Sequence, residues 1–159
     1  MVPVQHIAIT ADDGSLLIMS FVLEDARQGW KRAPTPENVA AEIKKASENW
    51  TAKPVSWRLI DTASIPADRS FRAAWVDDGA GIVHDIAKAR AIHLEAIRHA
   101  RNKLLADSDV LVTRAMECGD DTRDLANRRQ ALRDLPATIA PALSAAKTIE
   151  ALKAIQLPE

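Results

Sequence analysis

Residues 65–109 read IPADRSFRAAWVDDGAGIVHDIAKARAIHLEAIRHARNKLLADSD, and the parsing of this stretch decides the fold. Its first part runs to Trp75 and a turn, Asp77-Asp78-Gly79-Ala80-Gly81. Tight turns use Asp because its carboxylate bonds nearby backbone, and Gly because it accepts positive φ. Beyond the turn the apolar period changes. Ile82, Ile86, Ala89, His93, Ile97, Ala100 and Leu104 fall at spacings of three or four. That is a heptad-like stripe on a long helix. Apolar content continues through Val110, Leu111, Ala115 and Met116. The stretch therefore marks a join between a mixed half and an all-helical half.

Working back from the join, residues 5–10 and 15–23 are rich in Ile, Val and Leu and read as two strands. Asp13-Gly14 between them is a hairpin signal. Residues 24–33 form a polar connection holding Gly29 and Trp30. Thr35-Pro36-Glu37-Asn38 then opens a helix: Thr35 caps, Pro36 loses no bond at the first position, and Glu37 suits the positive end of the dipole. Val39, Ile43, Ala46 and Trp50 share its inner face. Residues 55–60 predict a third strand with Val55, Trp57 and Leu59 on one face. Residues 67–76 predict a short helix, with Phe71 and Trp75 four apart on one side.

Working forward, Asp107-Ser108-Asp109 suggests a kink or cap in the long helix. Gly119-Asp120-Asp121-Thr122 ends it with glycine and supplies an N-cap for the next helix, expected over 122–135. Pro136 is expected to stop that helix. A loop with Pro141 and a short helix over 148–155 complete the reading. The predicted fold class is α+β: a small ββαβα domain at 1–78, then a helical hairpin with a short C-terminal helix at 82–159.

Of the 159 residues 47% are hydrophobic, but much of that is Ala and only 4% are aromatic. Ala buries little area, so the core is thinner than the percentage implies. Helix pairs of this composition often complete their burial against another chain. Formal net charge is −1, which gives no global attraction to nucleic acid or anionic membrane. Residues 1–80 carry nine Lys/Arg against eleven Asp/Glu, and residues 81–159 carry twelve against eleven, so neither half is a basic arm. The N-terminal MVPVQHIAITADDG lacks the charged and apolar regions of a signal peptide, and no apolar run is long enough to span a membrane. The single Cys118 permits no intrachain disulfide and no thiolate zinc cluster.

No catalytic constellation emerges. His84, His93 and His99 are nine and six residues apart, and no two share the i, i+4 spacing that a metal on one helix needs. Cys118 precedes a helix-ending glycine, where the dipole disfavours a thiolate. Asp12-Asp13, Asp77-Asp78 and Asp120-Asp121 lack the alternating calcium-loop pattern and fit turn chemistry. Phosphate-loop, nucleophile-elbow and zinc-protease motifs are absent. Lys88, Arg90, Arg98, Arg101 and Lys103, with Arg123, Arg128, Arg129 and Arg133, make the helices locally basic. No aromatic follows Trp75 to stack on bases. A solvated face or inter-helix salt bridges fit better. Catalytic, metal and cofactor residues are therefore predicted to be none. Of Trp30, Trp50, Trp57 and Trp75, at least two are expected in the core with Phe21 and Phe71.

The segments WRLIDTASIPADRSFRAAWVDDG, HDIAKARAIHLEAIRHARNKLLADSDV, RRQALRDLPATI and TIEALKAI, in that order, resemble small phage and prophage proteins described as tail-fibre assembly proteins or tail assembly chaperones. The likeness covers roughly residues 55–159. Such proteins often close on Thr-Pro-Glu-Glu-Leu-Lys, an aromatic and a proline. Here the segment is Thr148-Ile149-Glu150-Ala151-Leu152-Lys153 with Leu157-Pro158, so the inner proline and the aromatic are missing. The resemblance implies a non-enzymatic protein that binds a phage tail or tail-fibre protein and works in the host cytoplasm during assembly. The alternative is a structural part retained in the virion tail. The expected partner interface is Ile86, Ala89, His93, Ile97, Ala100 and Leu104, a stripe that also suits a homo-oligomer.

Overall fold

A computed structural model describes residues 4–25 and 27–157. Met1–Pro3, Ala26, Pro158 and Glu159 lie outside the described residues, and with them part of the N-terminal and closing segments read above. The fold is α+β. Its contacts divide into two units, Met1–Asp85 and Ile86–Glu159.

The first unit is organised around strand β1, Val4–Ala11. It pairs antiparallel with β2, Leu16–Val22, and with β5, Pro54–Ile60, giving the order β2-β1-β5. Between β2 and β5 lie the two-residue strands β3, Glu24–Asp25, and β4, Trp30–Lys31, and helix α1, Pro36–Ala46. The β1–β2 turn closes as the Asp-Gly reading expects. Gly14 takes φ 73° and its N–H donates to the Ala11 carbonyl at 3.0 Å.

Ile7, Ala8 and Ile9 are consecutive and all buried. A strand points alternate side chains to opposite faces, so both faces of this sheet are covered. On one face Ile7, Ile9 and Phe21 pack with Val39 and Ile43 of α1, and Leu17, Met19, Trp50 and Trp57 complete that core. Thr35 caps α1 as expected, its Oγ accepting from Asn38 N–H at 3.4 Å. Arg32 seals the edge. Its guanidinium lies 4.0 Å from the Phe21 ring centroid and bonds Glu42 at 2.7 Å.

On the other face Ala8 and Ile60 pack with Trp75 and Ile82, with Leu16, Ile18 and Ile65 alongside. Here the sequence reading is corrected. Residues 67–76 are not a helix. Only a 3-10 turn forms, at Arg72–Ala74, and Trp75–Asp77 is strand β6. It pairs with β7, Ile82–His84, across Asp78-Gly79-Ala80-Gly81. Ile82 thus belongs to a hairpin and not to the long helix. The Asp side chains explain the outcome. Asp77 Oδ1 accepts from Gly79 N–H at 2.9 Å, and Asp78 Oδ1 from Ala80 and Gly81 N–H at 2.9 and 2.7 Å. Phe71 and Trp75 are both buried all the same.

Arg58 ties this hairpin to the sheet. Its Nε and Nη2 donate to the two Asp77 oxygens at 2.6 Å each. The bond from Arg58 holds the Asp77 carboxyl below the ordinary aspartate range, and Asp77 in turn raises the guanidinium.

The second unit contains α2, Ile86–Cys118, α3, Arg123–Ala145, and α4, Ile149–Lys153. Asp107-Ser108-Asp109 neither caps nor interrupts α2; the Ser108 hydroxyl donates to the Leu105 carbonyl at 2.7 Å within the helix. Gly119 ends α2 with φ 75°. Its N–H donates to Met116 O at 3.2 Å and Asp120 N–H to Ala115 O at 2.8 Å, the paired bonds of a Schellman motif. Asp121, not Thr122, then serves the start of α3, accepting from Arg123 N–H at 2.8 Å.

A second correction concerns Pro136 and Pro141, which lie inside α3 and do not end it. Leu132, Leu135, Ile139 and Leu143 are all buried, so the apolar face runs straight through both prolines. Each proline removes one intrahelical bond and costs roughly 3 kcal/mol against Ala. Burial of four large side chains at roughly 1.5–3 kcal/mol each offsets that.

Two outcomes are expected. Pro141 is exposed, so Pro141→Ala restores a helix bond without disturbing the core. It should stabilise the second unit by up to ~3 kcal/mol in urea unfolding, whereas a loop at 141 would give no gain. For Asp77 the folded pKa is lowered, so its contribution is complete above the unfolded value of about 3.9 and is lost as pH falls through the folded one. Asp77→Asn should weaken the first unit at neutral pH and remove this part of its acid sensitivity, as read by thermal melts at pH 7 and near pH 3.

Candidate functional site

The predicted stripe lies on α2, and the structure shows what each residue touches. Ala89 and Ile97 are buried within the helical unit, while Ile86, His93, Ala100 and Leu104 are half-buried. The root of the stripe is closed by the chain itself. Arg90 donates from Nε and Nη2 to the Ala146 carbonyl at 3.1 and 2.6 Å. His93 Nε2 lies 2.8 Å from the Ile155 carbonyl, to which it donates. Ile149 and Leu152 of α4 are buried beside them. Thr148 caps this short helix, accepting from Ala151 N–H at 3.2 Å.

Toward the hairpin tip the packing thins. Arg129 reaches across from α3 to Asp109 of α2, an inter-helix bridge of the kind expected. Arg129 Nε is nevertheless buried without a hydrogen-bond partner. Past Ile97 the only buried residue of α2 is Ser108. Val110, Leu111 and Met116 are exposed at 54%, 49% and 70%. Leu104, Leu111, Leu125 and Leu132 line a cleft of about 110 Å³ between the helices, with Asp107 and Arg128 also on its walls. An apolar cleft with one charge of each sign can take an amphipathic segment of another protein.

The other candidate residues are not brought together. His6 and His84 belong to the first unit, His93 and His99 to the second. His84 Nε2 accepts from Trp75 Nε1 at 3.0 Å, a half-buried polar contact that lets Trp75 sit in the core. Among the described residues no group of three or more His, Cys, Asp or Glu is placed to hold a metal. Cys118 is exposed at the end of α2. Asp13 serves its turn, accepting from Ser15 N–H, while Asp12 accepts from Lys53 N–H and ties that turn to the start of β5. Among the described residues no helix is long and apolar enough to cross a membrane. Sequence reasoning missed Arg90 as a clip and Leu125 and Leu132 as a cleft wall. The leucines were findable, because 125, 132, 135, 139 and 143 keep helical spacing past Pro136.

The cleft and the exposed tip lie in the part of the chain that has a known likeness. Residues 94–141 match the family model described as phage tail assembly chaperone protein. The chain is similar to phage tail assembly chaperones. The match takes in most of α2, the Gly119 turn and α3 through Pro141. It leaves out the Arg90 clip, α4 and the whole first unit. Neither a curated protein nor a solved structure matches the chain.

Root and tip should respond differently to mutation. Leu135→Ala removes a buried side chain and should cost about 2–5 kcal/mol. Leu111→Ser and Met116→Ser should change stability by no more than about 0.5 kcal/mol. Urea unfolding of the three variants checks this, and a large loss at Met116 would mean that the tip is core.

Proposed function

We propose that this protein is a non-enzymatic tail assembly chaperone that holds a phage tail or tail-fibre protein through its helical unit, in the host cytoplasm while tails are built. The observation that carries the reading is a coincidence of place. The family-matched residues 94–141 contain the exposed apolar side chains of α2 and the cleft at the hairpin tip. The stripe of Ile86, Ala89, His93, Ile97, Ala100 and Leu104 has two parts in this reading. Its first part, through Ile97, holds α2 against α4 and the end of α3. Its last member, Leu104, opens onto the cleft and joins Leu111 and Leu125 in meeting the partner.

A surface of this kind gains its binding energy from apolar burial, with the Asp107 and Arg128 charges setting orientation. It can shield an unassembled tail protein from premature association and give way when the correct neighbour arrives. Nothing in this role calls for bond chemistry.

The full chain, co-expressed with the tail and fibre proteins of its phage, should co-purify with one of them. Leu111→Asp with Met116→Asp should lower that yield at least about tenfold, since a charge in an apolar contact costs well over 1.4 kcal/mol. Undiminished co-purification by the double variant would remove the tip from the interface. Quantitative mass spectrometry of purified particles beside the lysate then tests the chaperone role. Abundance in the lysate and absence from particles is expected, whereas fixed stoichiometry in particles would make the protein a structural part of the tail.

A further inference from the structure

The sheet face opposite α1 carries a cavity of about 210 Å³, contained wholly in the first unit. Its apolar lining is the half-buried Ile18 and Ile65, set over the almost wholly buried Trp75 of the second core. Its rim is polar and cationic: His6, Ser20, Arg69 and Arg72. His6 and Ser20 face each other across the β1–β2 ladder, with His6 Nδ1 and Ser20 Oγ 3.2 Å apart. The arginines arrive on the turn before β6, where Arg72 N–H donates to the Arg69 carbonyl at 3.2 Å.

The other arginines of this unit that flank the cores are neutralised: Arg58 by Asp77 and Arg32 by Glu42. Arg69 and Arg72 make no ion pair among the described residues, and no carboxylate lines the cavity. Asp68 beside Arg69 is turned to Ser70, accepting from its N–H at 2.9 Å and its hydroxyl at 2.7 Å. Two guanidiniums on one rim repel each other and gain from an anion placed between them.

We propose that this cavity binds a side-chain carboxylate of an acidic peptide segment, with an apolar neighbour of that carboxylate against Ile18 and Ile65. A guanidinium fork matches a planar carboxylate through two parallel N–H bonds, and the His6–Ser20 pair keeps one further hydrogen to donate, on Ser20 Oγ or His6 Nε2. Ile18 and Ile65 favour a peptide over a free inorganic anion, which makes no use of apolar surface. Nucleic acid needs a track of cations along the phosphate backbone. The cavity offers two, on a half that carries nine basic against eleven acidic residues. The site is independent of the tail-protein reading, which concerns the other unit.

The test is a titration of the 15N-labelled full chain, followed by NMR. The probe is a capped hexapeptide with two adjacent glutamates flanked by leucines. Its glutamine twin, inorganic phosphate and a single-stranded oligonucleotide are the comparisons. Saturable shifts are expected at the Ser20, Arg69 and Arg72 amides and the Trp75 indole, with the glutamine twin at least about tenfold weaker. Arg69→Gln with Arg72→Gln should weaken the peptide about tenfold or more while the rest of the spectrum stays in place. Arg69→Lys with Arg72→Lys should lose part of the affinity, because charge is kept and the fork is not. No saturable shift at these positions, equal binding of the glutamine twin, or tighter binding of phosphate or oligonucleotide would each overturn the proposal.

Discussion

Helix α2 has 33 residues and α3 has 23, lengths of about 50 and 35 Å at 1.5 Å per residue. The apolar stripe of α2 is longer than α3 can cover, and that mismatch organises the second unit. The turn at Gly119 sets α3 running back along α2, and α3, the shorter helix, ends at Ala145. Arg90 and His93 then capture the carbonyls of Ala146 and Ile155, and the chain folds α4 over the gap. All of the large buried side chains of α3 fall at or after Leu132. The tip is left with Ser108, a salt bridge and half-covered leucines.

The same demand for cover shapes the first unit by another route. A three-stranded sheet with one solvated face would show alternating polar and apolar residues. Here β1 has Ile7, Ala8 and Ile9 in succession, and both faces need lids. Helix α1 is one lid and the β6–β7 hairpin is the other. The second lid is small, so it needs the Arg58–Asp77 bond to stay down, and its Trp75 needs His84 to satisfy an indole N–H that has left water.

The β1–β2 hairpin, the α1 cap and the Gly119 stop were legible because each rests on chemistry within a few residues: Asp13-Gly14, Thr35-Pro36, Gly119; the two-residue strands β3 and β4 lie in the stretch 24–33 that reads as a polar connection. The errors arose where one local signal was overruled, by the turn bonds of Asp77 and Asp78 in one case and by packing in the other. Phe71 and Trp75 are four apart, which suggests a helix, but both are buried without one, because Asp77 and Asp78 bend the backbone into a hairpin that drops Trp75 onto Ala8 and Ile60. Pro136 and Pro141 are helix breakers in isolation, and here a continuous apolar face holds them in α3. The stripe on α2 was visible as a period. Which part of it the chain would cover for itself depended on α4, and nothing in the stripe's own spacing encodes that. The cavity rim at His6, Ser20, Arg69 and Arg72 was invisible for the same reason, since the strand register that joins the first two and the turn that supplies the others are far apart in sequence.

Strand β1 also sets the order in which the first unit can be made. Its partner β2 follows across one tight turn, as Thr10 pairs with Leu16. Its other partner is β5, where His6 pairs with Ile60, so that ladder closes a loop of some fifty residues. Loop-closure entropy makes such distant pairings slow to form. During synthesis the β1–β2 hairpin is complete while the β5 side of β1 still presents unpaired N–H and C=O groups. That open edge can add a strand from another chain until Ile60 has emerged, and the second lid arrives later still, with Trp75 and Ile82. In the helical unit α3 turns back on α2 at once near Gly119, but the Arg90–Ala146 and His93–Ile155 contacts span 56 and 62 residues and close last.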